Sequence, residues 1–302
     1  MKKARIIYNP TAGRETFPNE LAFVLDQLET AGYETSAHAT KGDGDATAAA
    51  RQAVEREVDL VVAVGGDGTI NEVINGLARE SNRPKVGIIP AGTTNDFARA
   101  LKIPRNIKDA VEIITSGSSM YMDIGKVNEQ YFINIAGGGE LTELTYEVPI
   151  KLKTMLGQLA YYVKGIEMLP FIKPMHVKIE YDDEVFEDEI MLFLVANTNS
   201  VGGFEKLAPD AKIDDGYFDL LILKKTNLAE FVRLAGAALR GAHLEDKKVI
   251  YKQAKRIKVT PKDRMQLNID GEFGGLLPGE FINLKQHIEF CVPEQFLQKK
   301  DS

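Results

Sequence analysis

Hydrophobic and polar positions follow two different patterns, and the change between them lies near residues 122–125. In the first part, short apolar runs alternate with segments whose apolar residues recur at helical spacing. After Asp59, the run at residues 59–66 (DLVVAVGG) is continuously apolar, which is typical of a strand buried on both faces. Repeated strand–helix units predict a parallel sheet with helices on both faces. Helices are predicted at residues 19–33, 44–57 (with Asp45 as N-cap), 70–80 and 106–117.

Beyond this change, Val, Ile and Phe alternate with polar residues, which predicts mainly antiparallel strands packed as a sandwich. Helical spacing interrupts this pattern at residues 151–169 and 227–240. We therefore predict two domains. Residues 1–123 together with about 288–302 form an α/β domain, and residues 124–287 form a β-rich domain.

Composition narrows the functional classes. The formal net charge of −7 argues against nucleic acid as a partner. Cys291 is the only cysteine, so an intrachain disulfide is excluded, and a reducing cytoplasm is the expected location. The N-terminus lacks a signal-peptide pattern, and no window approaches the about 18 apolar residues of a membrane span. A lipid substrate would therefore require transient visits to the membrane surface.

A glycine-rich turn, residues 65–69 (GGDGT), separates an apolar run from a helical segment. It fits neither the Walker A pattern nor the Rossmann fingerprint, since Asn71 stands where the third glycine belongs. Glycines at a helix start nevertheless let backbone N–H groups approach phosphate. Asp67 beside polyphosphate would require a cation, which implies Mg²⁺. The alternative is purely structural, because Thr69 and Glu72 have the spacing of a capping box.

Other turns are expected at the same edge of the sheet. Residues 9–13 (NPTAG), Thr40 and residues 90–98 (PAGTTNDFA) each follow a predicted strand. Ligands of open parallel sheets bind outside the carboxyl ends of the strands. Each turn alone is explained by ordinary turn chemistry, but together they favour a binding site.

The turns GGDGTINEVINGL, NPTAG and PAGTTNDFARAL resemble the diacylglycerol kinase catalytic domain, a family that includes soluble bacterial lipid kinases, ceramide kinases and sphingosine kinases. Residues 204–223 (FEKLAPDAKIDDGYFDLLIL) look like the metal-holding segment of that family, and residues 267–272 (LNIDGE) look like its catalytic strand end. The resemblance covers essentially the whole chain. Within the family, the sequence is most similar to the soluble diacylglycerol kinases of Gram-positive bacteria.

This resemblance implies two domains with ATP between them, transfer of its γ-phosphoryl group to diacylglycerol, and a homodimer. It assigns the catalytic base to Glu272 and a structural Mg²⁺ to Lys212, Asp215 and Tyr217, of which Lys212 and Tyr217 would act through their carbonyls. Without the resemblance, a solvated hairpin residue is the preferred interpretation of Glu272. The implied nucleotide contacts are Asn9, Pro10, Thr11, Ala12, Gly13, Thr40, Gly66, Asp67, Gly68, Thr69, Ile70, Asn71, Glu72 and Thr93.

To reach a lipid substrate, the protein requires a surface that can bind an anionic membrane. Residues 148–173 mix lysines, including Lys164, with large apolar residues, and Arg14 lies beside the first turn. We expect Arg14 and Lys164 to face anionic phospholipid. A helix that packs on the core with snorkelling lysines is the alternative.

Three other functions stay open. The first is a kinase for another lipid acceptor, such as ceramide or sphingosine. The second is an NAD kinase, since NAD kinases share the GGDGT turn. The third is a regulator that binds nucleotide or lipid without catalysis. The DDGYFD and IDGE segments favour a lipid acceptor. Intact Asp67, Asp215 and Glu272 argue against a regulator.

Overall fold

The computed structural model describes residues 1–13, 15–139, 173–199 and 207–298. The chain forms two compact units, between which it passes twice. Unit 1 comprises Met1–Ile124 and Gln286–Ser302, and unit 2 comprises Gly125–Lys285. The roles that the sequence analysis gives to the two domains stay predictions.

Unit 1 is built on parallel strands that alternate with helices. The parallel strands are β1 (Lys2–Tyr8), β2 (Tyr33–Ala39), β3 (Leu60–Gly65) and β4 (Lys85–Pro90), and unit 1 also holds the start of β5 (Ser119–Val127). The helices are α1 (Phe17–Thr30), α2 (Asp45–Glu55), α3 (Asp67–Leu77), α4 (Asp96–Ala100) and α5 (Ile107–Ser116). The strand order is β4-β3-β1-β2, with all neighbours parallel. The predicted α/β fold is confirmed.

Burial explains why unit 1 folds in this way. Every residue of β3 is buried, as its continuous apolar run predicts for a central strand. Helices α2 and α3 approach closely because Gly76 has no side chain. A Cβ atom there would lie 2.5 Å from the carbonyl oxygen of Thr47. This contact places the first turn of α2 beside the last turn of α3.

The prediction that Asp45 is the N-cap of α2 is wrong. Gly44 occupies that position with φ of 78°, and Asp45 is the first helical residue. The Asp45 carboxylate instead accepts a hydrogen bond from the backbone N–H of Lys41 at 2.8 Å and contacts Nε2 of His38 at 3.2 Å. It therefore braces the turn between β2 and α2.

Unit 2 is mainly antiparallel. It contains β6 (Gln130–Phe132), β7 (Ile135–Gly138), β8 (Met175–Tyr181), β9 (Glu184–Ala196), β10 (Phe218–Lys224), α6 (Leu228–Arg240), β11 (Val249–Ala254), β12 (Arg256–Pro261), β13 (Gln266–Ile269), β14 (Glu272–Leu276) and the start of β15 (Gly279–Cys291). The end of β15 belongs to unit 1, pairs in parallel with β4 and precedes α7 (Glu294–Gln298).

The long strand β9 organises unit 2. Its first half pairs with β8, and its second half pairs with β7 and β10, all antiparallel. Three aromatic rings fill the core, where Phe132 stacks on Phe218 at 5.4 Å and meets Phe281 edge-on at 6.4 Å between centroids. The predicted antiparallel sandwich is confirmed, and so is the helix at residues 227–240, which Asn227 caps. The helix predicted at residues 151–169 lies outside the described residues.

Candidate active site

The four turns that follow β1 to β4 lie at one edge of the unit 1 sheet, because these strands are parallel. Backbone hydrogen bonds continue beyond the strand ends and link neighbouring turns. The N–H of Asn9 donates to Val64 at 3.0 Å, and that of Thr40 donates to Tyr8 at 2.9 Å. The predicted gathering of these turns is therefore present.

A cavity of about 250 Å³ opens among three of these turns and the start of α2. Five of its lining residues are predicted nucleotide contacts: Asn9, Thr11, Thr40, Thr69 and Glu72. Four more were missed by the sequence analysis: Lys41, Gly42, Asp43 and Ala46. They directly follow Thr40, so extending the turn after β2 by a few residues would have found most of them.

Glycines let the turns touch through their backbones. A Cβ atom on Gly92 would lie 2.4 Å from the Cα atom of Gly66, and one on Gly13 would lie 2.1 Å from the carbonyl oxygen of Ala91. Gly13 also has φ of 57°, which a side chain would strain. The turns after β1, β3 and β4 thus form one continuous surface of backbone groups.

The first turn of α3 has no capping box. Its N-cap residue is Gly66, without a side-chain cap, and Thr69 lies inside the helix. The Glu72 carboxylate accepts from the backbone N–H of Ala46 at 3.1 Å instead of returning to its own helix. The structural alternative for Thr69 and Glu72 is therefore wrong, and the N-terminus of α3 retains unfilled capacity to bind an anion.

Asp67 is the first residue of α3 and half-buried. Burial raises the pKa of its carboxyl group, and backbone N–H groups led by that of Phe97 oppose this rise. The N–H of Phe97 donates to Oδ1 of Asp67 at 3.4 Å, which ties the turn after β3 to the turn after β4. The carboxylate thus lies between two of the predicted ligand-binding turns.

Other predicted nucleotide contacts do not line the cavity. Ile70 is fully buried in the core, and Oδ1 of Asn71 accepts from Asn75 at 2.9 Å. Thr93 is exposed, and its carbonyl accepts from Arg105 at 2.5 Å. The remaining members lie in the turns or at the start of α3 but not on the cavity wall: Pro10, Ala12, Gly13, Gly66, Asp67 and Gly68.

A larger cavity of about 350 Å³ lies at the opposite edge of the same sheet, where β1 to β4 begin. Several of its charged groups already have protein partners. Lys85 pairs with Glu289 at 3.3 Å, and Asp59 accepts from the backbone N–H of Lys3 at 2.7 Å. Since ligands of parallel sheets bind at the carboxyl edge, the smaller cavity is the better candidate.

In unit 2, Glu272 begins β14 directly after a two-residue hairpin turn. Asp270 and Gly271 form this turn with φ of 49° and 93°, as a tight hairpin requires. Glu272 pairs with Ile269 across the hairpin and is exposed. Its carboxylate is therefore accessible to a substrate.

The predicted metal ligands lie on the loop before β10. Oδ1 of Asp215 accepts from the backbone N–H of Tyr217 at 2.9 Å, and the side chain of Lys212 is exposed. Within the described ranges, no three His, Cys, Asp or Glu side chains form a metal-binding group. The predicted ligand set is of a different kind, because it consists of one side-chain carboxylate and two backbone carbonyl groups.

Carboxylates lie around this loop together with Lys255, whose ammonium group is 4.9 Å from the ring centroid of Tyr217. Burial raises the pKa of the Asp219 carboxyl group, and the neighbouring carboxylates of Asp215 and Asp210 raise it further. Asp219 accepts from the hydroxyl group of Tyr251 and from Gln253 at 3.2 Å. A hard divalent ion with oxygen ligands would offset the charge of these carboxylates.

Two predicted membrane contacts, Arg14 and Lys164, lie outside the described residues. In the part of the chain that the structure describes, no helix combines the length and apolarity needed to cross a bilayer.

The sequences of both units match known protein families. Residues 3–127 match the diacylglycerol kinase catalytic domain, and residues 146–295 match the YegS C-terminal NAD kinase beta sandwich-like domain. The chain is 63% identical over 302 residues to a diacylglycerol kinase of Bacillus subtilis (strain 168), with 100% of both chains covered. It is 54% identical over 299 residues to a diacylglycerol kinase of Staphylococcus haemolyticus (strain JCSC1435), with 99% of this chain and 91% of that one covered.

A solved structure shares the fold. The crystal structure of a diacylglycerol kinase from Bacillus anthracis str. Sterne aligns with a TM-score of 0.83 at 32% identity, covering 97% of this chain and 98% of that one. Fold, domain matches and full-length identity agree, and the chain belongs to the diacylglycerol kinase family, as an enzyme of the kinase class.

Proposed function

We propose that this protein transfers the γ-phosphoryl group of ATP to the free hydroxyl group of diacylglycerol and so forms phosphatidic acid. The observation that carries the nucleotide part is the cavity where Thr69 and Glu72 of α3 meet Asn9 and Thr40. A helix N-terminus without a side-chain cap supplies N–H groups for phosphate beside this cavity. The acceptor follows from the relatives, which carry the name diacylglycerol kinase.

In the proposed reaction, the acceptor oxygen forms a bond to the γ-phosphorus as the bond to the β-phosphate oxygen breaks, and ADP leaves. Glu272 accepts the hydroxyl proton as general base. Positioning and charge neutralisation supply most of the rate enhancement, because the transition state of phosphoryl transfer is loose. The backbone N–H groups of Gly66 and Gly68 orient the phosphates, with the other predicted nucleotide contacts around them.

Mg²⁺ enters the proposal at two places. Asp67 is the residue that would hold it near the phosphates, where it supplies neutralising charge. Asp215, with the carbonyl groups of Lys212 and Tyr217, would hold a second, structural ion that stabilises the loop before β10.

The proposal also covers the setting of the reaction. The protein acts as a homodimer that visits the inner face of the cell membrane from the cytoplasm, where Arg14 and Lys164 meet anionic phospholipid. Its product would then enter phospholipid synthesis.

One assay separates this function from its alternatives. Purified protein is incubated with Mg²⁺ and ATP labelled at the γ-phosphate, and diacylglycerol, ceramide, sphingosine and NAD are offered separately as acceptors. We expect labelled phosphatidic acid as the dominant product. Preferential labelling of another acceptor would reassign the enzyme, and no transfer to any of the four would favour a non-catalytic regulator.

A further inference from the structure

Asp270, in the turn before Glu272, holds a loop that is far away in sequence. Its Oδ1 atom accepts hydrogen bonds from the backbone N–H groups of Asn134 and Ile135, and its Oδ2 atom accepts from that of Ile133, each at 2.9 Å. The N–H of Asp270 donates to the carbonyl oxygen of Ile135 at 2.8 Å. Four hydrogen bonds therefore attach this turn to residues 133–135.

The hydrogen bonds of the Asp270 carboxylate to residues 133–135 are not required to form the hairpin turn. Asp is common in tight hairpin turns because it tolerates positive φ, and that alone accounts for its presence there. An ordinary turn carboxylate bonds to its own backbone or to water. The N–H groups that donate hydrogen bonds to the Asp270 carboxylate belong to residues with 9% exposure or less, namely Ile133, Asn134 and Ile135. Without the carboxylate, these N–H groups would lose acceptors that solvent cannot readily replace.

The loop to which Asp270 binds is itself held from the other side. The backbone N–H of Asn197 donates to the carbonyl oxygen of Asn134 at 2.8 Å, and Nδ2 of Asn197 donates to that of Ile133 at 3.1 Å. The hydroxyl group of Thr198 donates to Oδ1 of Asn134 at 3.2 Å. Asn197 and Thr198 are almost completely buried. The hairpin is thus anchored to a buried polar network.

We propose that Asp270 is a positioning residue that fixes the backbone from which Glu272 presents its carboxylate. Only Gly271, with φ of 93°, separates Asp270 from Glu272. Because glycine is conformationally permissive, the backbone position of Glu272 depends on fixing the residue before Gly271. The N–H of Gly271 donates to Oδ1 of Asn268 at 3.0 Å, which completes the brace. This inference rests on the proposed role of Glu272 as proton acceptor.

Unit 2 contains a matched control in another hairpin. Asp182 lies in the turn between β8 and β9 with φ of 45°, close to the value for Asp270. Its carboxylate accepts from the backbone N–H groups of Lys255 at 3.2 Å and Arg256 at 3.1 Å, and its own N–H donates to Arg256 at 3.1 Å. Asp182 therefore makes the same kind of anchor with no proposed part in the reaction.

The test compares Asp270→Asn with Asp182→Asn in the full chain. Asparagine keeps one carbonyl oxygen but places an N–H₂ group where the second oxygen accepted, so each variant loses part of its anchor. We expect Asp270→Asn to lower kcat at least about tenfold with little change in the KM for ATP, because misplacement of a base affects the chemical step. Asp182→Asn should keep kcat within about twofold. Equal losses of kcat in both variants would overturn the proposal.

A second arm separates positioning through Glu272 from a general structural defect. In a Glu272→Ala background, Asp270→Asn should change the residual rate less than about twofold, since the group it positions is absent. A further tenfold loss would overturn the proposal. A third arm measures hydrogen–deuterium exchange at residues 269–274, which we expect Asp270→Asn to accelerate and Asp182→Asn to leave unchanged. If wild-type protein phosphorylates no acceptor, the proposed function fails, while unchanged exchange in Asp270→Asn would refute the anchor itself.

Discussion

Oε2 of Glu72, in the second turn of α3, accepts a hydrogen bond from the backbone N–H of Ala46, in the first turn of α2, at 3.1 Å. The hydroxyl group of Thr47 returns a bond of 2.9 Å to the carbonyl oxygen of Glu72. The N-terminus of α2 is thereby joined to α3 at the wall of the candidate nucleotide cavity. Glu72 thus satisfies a buried N–H while it faces the space that a nucleotide would occupy.

Glu72→Ala should weaken both folding and nucleotide binding. It leaves the N–H of the buried Ala46 without its acceptor, which costs about 1–3 kcal/mol of unfolding free energy. It should also raise the KM for ATP. Glu72→Gln is the matched control, because its amide oxygen can still accept and should recover most of the stability. Urea unfolding and initial rates measure the two effects, and equal stability of the Ala and Gln variants would contradict the role of this bond.

Gly92→Ala should destabilise unit 1 because the added Cβ atom would lie 2.4 Å from the Cα atom of Gly66. Backbone cannot yield as a flexible side chain can, so we expect a loss of about 1–3 kcal/mol and a weaker affinity for ATP. Gly42→Ala is the stability control, since a Cβ atom there meets nothing within 4 Å. If both variants unfold at the same urea concentration as wild type, the close packing of the two turns is not needed.

The sequence predicted most of unit 1 because its strands and helices differ clearly in hydrophobic period. The central strand β3 is apolar throughout and buried throughout. Its parallel neighbours place the turns after them at one edge, so the gathering of Asn9, Thr40 and Thr69 could be predicted without coordinates.

Side-chain partners between elements could not be predicted in this way. Thr69 and Glu72 have capping-box spacing, but the close approach of α2 and α3 at Gly76 gives Glu72 a different donor. Asp45 was misassigned because Gly44, with positive φ, takes the capping position. The bonds of Asp270 join residues more than 130 positions apart, and local spacing carries no information about such contacts.

Glu272→Ala should remove nearly all kinase activity. Loss of a general base typically lowers kcat about 100-fold or more. Because Glu272 is exposed, the free energy of unfolding should change by less than about 0.5 kcal/mol. Affinity for ATP should persist, since the nucleotide cavity belongs to unit 1. Retention of more than about a tenth of wild-type kcat would exclude Glu272 as the base and restore its interpretation as a solvated hairpin residue.

Mg²⁺ should stabilise the protein through Asp215 in the absence of nucleotide. An ion at a hundred times its Kd adds about 2.7 kcal/mol to the free energy of unfolding. Asp215→Asn should abolish this gain while keeping the bond from the N–H of Tyr217, because an amide oxygen can still accept. The exposed Asp263 supplies the control substitution Asp263→Asn. Thermal unfolding with Mg²⁺ or with chelator measures the effect, and an equal gain in Asp215→Asn would refute the assignment.

Cys291 should report nucleotide binding to unit 1 without any measurement of activity. It is the only cysteine of the chain, its exposure is 1%, and burial raises its pKa to about 12. Thiol reagents attack the exposed thiolate, so labelling of native protein requires opening of the structure around β15. A ligand that binds only the closed form slows such labelling by the factor 1 + [L]/Kd, which is about 100-fold at a hundred times Kd.

Saturating ATP should therefore slow the labelling of Cys291 strongly, and Glu72→Ala should reduce this protection at a given ATP concentration. Protein unfolded in urea supplies the control, since ATP should not change its labelling rate. Rapid labelling of native protein would contradict the burial of the thiol. Slow labelling that ATP leaves unchanged would contradict the prediction and show that opening around Cys291 is not coupled to nucleotide.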